Sequence, residues 1–141
     1  MRLNGANGIV VDVNSLAELR ENTIMDNGGA IAFTPGGVPA PIANGIFVGG
    51  GSVATINGGV ISRNLGSGIH VSASPFDPNL VPGTARIGLD SDAAIEITDN
   101  GRAGIFVGDD GSLATIDGRN IVFQDNAEGD LVGPIVDVAG P

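Results

Sequence analysis

Apolar residues recur in pairs two apart along this chain: Ile9 and Val11, Ile46 and Val48, Ile69 and Val71, Ile105 and Val107. A spacing of two turns both side chains of a pair to one face of an extended strand. Each pair sits inside a longer repeated stretch. Asn100-Gly-Arg-Ala-Gly-Ile-Phe-Val107 leads into Gly111-Ser-Leu-Ala-Thr-Ile-Asp-Gly118, and Asn44-Gly-Ile-Phe-Val48 leads into Gly51-Ser-Val-Ala-Thr-Ile-Asn-Gly58. A looser copy runs from Asn7 to Val11 and on through Asn14-Ser-Leu-Ala-Glu-Leu19. Each copy then reaches an apolar residue shortly before an Asn: Ile24 and Asn27, Ile61 and Asn64, Phe123 and Asn126, with Ile97 and Asn100 closing one more. The pattern predicts three short strands per unit: Gly-Ile-x-Val, Ser-Leu-Ala-x-Ile and Ile-x-x-Asn. Leu16 to Glu21 alone would pass for a helix, but its repeat partners read as strand.

The unit-closing residues Asn4, Asn27, Asn64, Asn100 and Asn126 are spaced by 23, 37, 36 and 26 residues. A unit of this size with three strands suits a stacked array and has too few strands for a propeller blade. Asn at an equivalent turn in every unit predicts an internal ladder, each Asn tolerating a left-handed backbone and hydrogen-bonding its neighbour in the next unit. The two long spacings reflect Pro-rich insertions at 34–43 and 72–84, which together hold six of the eight Pro. Pro cannot join a ladder from inside a sheet, so these are excursions from the strands. Both are expected to follow the first strand of consecutive units and so to leave from one corner, where loops on a rigid frame form a binding rim. Phe76, Asp77 and Asn79 are the substrate-binding candidates in the second. Ile31 to Phe33 and Ile46 to Val48 both fit the first-strand pattern, which leaves two ways of drawing the boundary between 30 and 50.

Repeats stacked in this way give a parallel coil in which each strand pairs with its equivalents above and below. Glu21-Asn-Thr-Ile24, the Asp-Asn-Gly turns at 26–28 and 99–101, and the repeated Gly-Ile-x-Val strands resemble the right-handed parallel β-helix of the pectin lyase-like superfamily. The resemblance covers essentially all of residues 1–141. It implies an all-β fold, a right-handed parallel β-helix (solenoid) of about five coils in a single domain. Arg2-Leu-Asn4 reads as the close of a coil and Leu131 to Val138 as the opening of one, neither a polar cap. The expectation is a segment of a longer array, with end-to-end stacking of subunits as the alternative.

Composition narrows the partners. The net charge is −10, from 16 acidic residues against six Arg and no Lys. Nucleic acid and anionic membrane surfaces need basic side chains and are poor partners. No stretch approaches a membrane span, and no basic, then apolar, leader opens the sequence. Glycans and cations suit the surface better, although the absence of Trp and Tyr removes the strongest sugar-stacking groups. The absence of Cys decides nothing about compartment.

The resemblance also implies chemistry to look for. Lyases of the superfamily use Ca²⁺ held by acidic residues, with an Arg or Lys as base. Asp90, Asp92, Asp109 and Asp110 are the metal-ligand candidates here, and Arg102 is a candidate base, with Arg86 the other Arg nearby. Hard carboxylate oxygens close together suit Ca²⁺; equally, Asp is common in Gly-rich turns for local reasons. Polygalacturonases of the superfamily use Asp residues and a His in Asn-Thr-Asp, Asp-Asp and His-Gly patterns. Here the text is Asn22-Thr23-Ile24, with Asp109-Asp110 far downstream and His70 inside Gly-Ile-His-Val, so the motifs are broken and out of order. Asp109, Asp110, Arg102 and His70 are thus the catalytic candidates. His70 alternates with Ile69 and Val71 and is expected to point outward to solvent. Arg63, Asp99 and Asp125, each just before a ladder Asn, are expected to form a solvated column. Thr55 and Thr115 occupy equivalent places, but Glu18 interrupts the Thr file that ice binding would need. The function expected is an extracellular or cell-surface scaffold that presents loops to a glycan or partner. The alternative is part of a polysaccharide lyase, epimerase or hydrolase.

Overall fold

The computed structural model describes residues 7–28, 43–74, 81–90 and 92–139. Asn4, Ile31 to Phe33, most of the 34–43 insertion, and Phe76, Asp77 and Asn79 lie outside the described residues. The described chain is all-β, apart from a single 3-10 turn at Gly118–Asn120. Five short strands, β1 (Ile9–Val11), β3 (Ile46–Val48), β5 (Ile69–Val71), β8 (Ile105–Val107) and β11 (Leu131–Val132), form one sheet in that order, and every pair is parallel. The second sheet takes the seven others: β2 (Leu16–Met25), β4 (Val53–Ser62), β6 (Thr84–Ile87), β7 (Ile95–Thr98), β9 (Leu113–Ile116), β10 (Ile121–Gln124) and β12 (Ile135–Asp137).

The ten-residue strand β4 pairs with β2 on one side. On its other side it meets two strands, β6 along Val53–Ile56 and β7 along Gly59–Ser62. One long strand in the early passes is therefore two strands with a turn between them in the later ones. The bend is already present in β2 and β4, where Glu21, Gly58 and Gly59 have φ of 49°, 69° and 109°. The three strand segments expected per unit are all there, and Leu16–Met25 is strand.

Ile46–Val48 stands between Ile9–Val11 and Ile69–Val71, which settles the boundary left open between 30 and 50. It also corrects the expectation of one corner for both insertions. Residues 29–42 connect β2 to β3, from the second sheet to the first, whereas residues 75–80 connect β5 to β6, from the first sheet to the second. They occupy different connections.

Registered pairing makes the core a set of columns. Ile46, Ile69 and Ile105 form one, Val48, Val71 and Val107 another, and Ile56, Ile87 and Ile116 a third, all buried. Ala54, Ala85 and Ala114 keep a fourth column narrow. Burial of so many branched side chains, each stabilising by about 1.5–3 kcal/mol, is what holds the passes together. The Gly before each Ile-x-Val strand follows from the same closeness: a Cβ on Gly68 would stand 2.7 Å from the Gly104 carbonyl oxygen and 2.8 Å from Ile97 Cγ2. No helix among the described residues is long and apolar enough to cross a membrane.

Candidate functional site

The middle residues of the first-sheet strands face away from the core and fall in register as Val10, Phe47, His70, Phe106 and Val132. His70 sits between two aromatic rings, with centroids 5.7 Å away at Phe47 and 4.7 Å away at Phe106. The parallel ladder imposes this stack, because equivalent side chains on neighbouring strands lie about 4.8 Å apart. His70 is only 6% exposed, which corrects the solvent-facing position expected for it. Alternation turned the ring outward as expected; the neighbours in its column then shut it from water.

Among the described residues one polar contact reaches the ring: Nε2 lies 3.1 Å from Ser72 Oγ. Ser72 Oγ also donates to the Ala73 carbonyl at 3.2 Å. A hydroxyl has one proton, so with that proton on Ala73 the imidazole N–H donates to the serine oxygen. In this arrangement His70 is not a base drawing a proton from Ser72, as nucleophilic catalysis requires. Burial, and next the positive Arg102, lower the His70 pKa to about 4, against a smaller opposing pull from Asp110. The ring is neutral at neutral pH.

Asp110 closes the adjoining turn. Its Oδ2 accepts the Ala73 N–H at 2.8 Å and its Oδ1 accepts the Ser112 N–H at 3.1 Å. Burial pushes its carboxyl up, but the Ser112 side chain and these main-chain donors outweigh that and hold it below the usual carboxylate range. Its oxygens are thus spent on the backbone. Asp109 beside it is exposed. Arg102 pairs with Glu128 at 3.2 Å and lies 6.0 Å from the centre of the Phe106 ring.

The remaining candidates lie elsewhere. Asp90 and Asp92 are on the connection from β6 to β7, while Asp109 and Asp110 are on the connection from β8 to β9. Asp90 stands 3.9 Å from Arg86, and its main-chain N–H donates to Asn57 Oδ1 at 3.3 Å. Among the described residues no three of His, Asp and Glu gather where they could hold one metal ion. Of the four catalytic candidates, Arg102, His70 and Asp110 share one side of the first sheet, but none hydrogen-bonds to another.

A second feature is a surface cleft of about 500 Å³, lined by Asp26, Asn27, Gly28, Arg63, Leu65, Asp99 and other turn residues. Arg63 donates to both oxygens of Asp26, at 2.8 and 2.9 Å, across two neighbouring passes. The expected charged column of Arg63, Asp99 and Asp125 is present and exposed, and Asp26 belongs to it. These residues also correct the turn chemistry. Asp26, Arg63, Asp99 and Asp125 hold the left-handed backbone, with φ of 59°, 52°, 55° and 53°, and the Asn after each does not.

Freed of that task, the Asn side chains form the ladder behind the cleft. Asn27 donates to Asn64 Oδ1, Asn64 to Asn100 Oδ1 and Asn100 to Asn126 Oδ1, at 2.9, 3.0 and 2.9 Å. Asn27 Oδ1 is buried and takes no donor among the described residues. A second ladder, not anticipated from the sequence, runs the opposite way: Asn44 donates to Asn7 Oδ1 at 3.1 Å, and the Ser67 N–H to Asn44 Oδ1 at 2.9 Å. Ser72, Ser112, Phe47 and Phe106 were likewise not singled out in the sequence. The two Phe were within reach, since they fill the variable place of Gly-Ile-x-Val that His70 fills in β5. Comparison with protein-family models, curated proteins and solved structures returns no match.

Proposed function

We propose that this chain is a rigid scaffold, a right-handed parallel β-helix of about five coils and pectin lyase-like in type. It presents its surface to a glycan or a protein partner and performs no chemistry of its own. The observation that carries this reading is how the ionisable groups are spent. Asp110 binds two main-chain N–H groups, Arg102 pairs with Glu128, Arg63 with Asp26, and Arg86 stands beside Asp90. A lyase or hydrolase needs such groups converging on one substrate, two carboxyl groups at a set separation in the case of glycoside hydrolysis. Here each is engaged by its own partner, and Arg102 and Asp110, although on one side of the first sheet, are held by Glu128 and by main-chain N–H groups and not by each other.

The strong negative charge supports neutral glycans, cations or basic partners over nucleic acid. An extracellular or cell-surface location fits this reading. The test is incubation with polygalacturonate and with alginate, with and without Ca²⁺, following ultraviolet absorbance of unsaturated uronates. In parallel, binding to the same immobilised polymers is measured. The scaffold reading expects no product, with any interaction confined to the binding arm. A Ca²⁺-dependent rise abolished by Asp109→Ala or Arg102→Ala would replace it with the lyase reading.

A further inference from the structure

The last described pass keeps the registered strands but breaks the columns they carry. Ile135 to Asp137 pair with Ala114 to Ile116, so Asp137 takes the place that Leu19, Ile56, Ile87 and Ile116 hold in the passes before it. That column is apolar, and its last three members are buried. Asp137 Oδ1 accepts the Gly118 N–H at 3.0 Å and the Ala139 N–H at 2.9 Å, which ties the carboxylate to main chain at the open end of the column. In the first sheet β11 stops after two residues. Gly133 follows, with φ of 105°, where the column of Val48, Val71 and Val107 calls for another Val; a Cβ there would collide with the Val107 carbonyl oxygen. Pro134 beside it has no N–H to offer a neighbour.

The Asn ladder ends in the same pass. Asn100 Nδ2 donates to the Ile61 carbonyl at 3.3 Å and to Asn126 Oδ1, in the next pass, at 2.9 Å. Asn126 Nδ2 keeps the first kind of bond, to the Ile97 carbonyl at 2.9 Å, but its second goes to Asp130 Oδ1 at 3.3 Å, four residues along its own pass. Asp130 stands in for the next Asn. A carboxylate accepts and has no proton to hand on, so the run stops there.

We infer that the stretch from Asn126 to Val138 is a closing pass, in which Asp130 ends the Asn ladder, Asp137 ends a core column, and the two together deny this face to a further strand, one from a second copy of the chain included. An unpaired strand edge recruits other strands unless it is short, carries Pro or points a charge inward. This edge does all three. The register would set Leu19 of an arriving copy's β2 over Asp137, burying a carboxylate among apolar side chains, which neither its two N–H partners nor any cation in that column offsets. Leu131 is 43% exposed and Ile135 is half-buried, so apolar surface is present on this face. The acids, and not a lack of apolar area, keep it closed.

Sedimentation equilibrium at moderate salt compares the wild type with Asp130→Asn/Asp137→Ile, which continues both the ladder and the column. The double variant is expected to associate as its concentration rises, its mean mass reaching about twofold that of the wild type or more. Glu18→Gln/Glu21→Gln, on β2 in another pass, removes the same charge and is expected to behave as the wild type. Equal association of the wild type and Asp130→Asn/Asp137→Ile, whether of both or of neither, overturns the closing pass. So does equal association of the two double variants, which would make net charge the cause. Amide hydrogen exchange of the wild type decides the matter even where the variants do not fold. The Gly118 N–H, which Asp137 Oδ1 accepts, is expected to exchange at least roughly 10-fold more slowly than in an unfolded chain, and an unprotected Gly118 would sink the inference.

Discussion

Asn64 gives two hydrogen bonds to a single oxygen of Asn100: its main-chain N–H reaches Oδ1 at 3.1 Å and its side-chain Nδ2 reaches the same atom at 3.0 Å. In turn, Asn64 Oδ1 receives the matching pair from Asn27, at 3.2 and 2.9 Å. Each inner Asn is therefore donor to one pass and acceptor from the other. All of these groups are buried, so none has water to fall back on.

Asn64→Ala strands the donors on Asn27 and removes the side-chain donor to Asn100 Oδ1 and to the Ile24 carbonyl, leaving Asn100 Oδ1 the main-chain N–H of residue 64 alone, and is expected to cost about 3–5 kcal/mol. Asn126→Ala, at the end of the run, strands donors on Asn100 and removes the side-chain bonds to the Ile97 carbonyl and Asp130, but leaves no further ladder Asn short of a donor, and should cost about 1–3 kcal/mol. Asn64→Asp should be no better than Ala, because a carboxylate can accept from Asn27 but has nothing to donate to Asn100. Urea unfolding of the three variants beside the wild type checks the order. Equal losses at positions 64 and 126 would mean that the ladder does not act through its two-sided bonding.

Gly68 tests the closeness of the passes. A methyl group there meets the Gly104 carbonyl at 2.7 Å, Ile97 Cγ2 at 2.8 Å and Asn100 Nδ2 at 3.0 Å. Asn100 belongs to the ladder turn and Ile97 to β7, the strand before it, and neither can yield without disturbing registered pairing. Gly68→Ala should lose about 1–3 kcal/mol, the cost of overpacking. Gly129→Ala has open space around the added carbon and serves as the contrast, its loss set by its φ of 105° alone. Thermal melts of both variants separate crowding from backbone strain.

Asp110 predicts an acid dependence of its own. Its folded carboxyl lies below the ordinary value of 3.8, so the unfolded chain binds the proton first as pH falls. Its contribution is therefore present in full above the unfolded pKa and disappears as pH drops through the folded one. Asp110→Asn should leave a melting temperature that differs from wild type at pH 6 and converges with it toward pH 2. A constant offset across that range would show that the charge is immaterial and the shape of the side chain alone matters.

Much of this architecture was legible in the sequence because it depends on columns. A residue type repeated at equivalent places, such as Ile69 and Ile105 or Asn64 and Asn100, reports a contact between passes even when each pass is read alone. His70 shows where that reading stops. Alternation told correctly which way the ring points, yet burial depended on what its neighbours in the column are, a property of three strands together. The conformation of the turns was hidden for a different reason. Asn is the residue known for tolerating a left-handed backbone, so it drew that role, whereas the protein gives it to the less regular residue before it, Asp26, Arg63, Asp99 or Asp125. An Asn used as a two-sided hydrogen-bonding group needs its side chain directed inward, and the preceding residue supplies the change of direction. The scattered carboxylates were equally out of reach: Asp109-Asp110 looks the same in sequence whether it binds an ion or its own backbone.

That division of labour at the turn yields the last prediction. Asp99 has φ 55°, its side chain is exposed, and its main-chain N–H donates to the Gln124 carbonyl at 2.9 Å. What the position requires is the backbone conformation. Asp99→Gly removes the steric cost of a left-handed L-residue but loosens the unfolded chain, and these offset to within about 0.5–1 kcal/mol. Asp99→Val keeps the backbone donor and forces a β-branched side chain into the left-handed region, at a cost of about 1–2 kcal/mol. Asn at this place, although polar and without charge, should match the wild type because it tolerates the conformation. Melting the Gly, Val and Asn variants together tests the assignment: a Val variant as stable as the Asn variant would mean that the side chain of Asp99, through its charge beside Arg63, and not its backbone, is what the turn depends on.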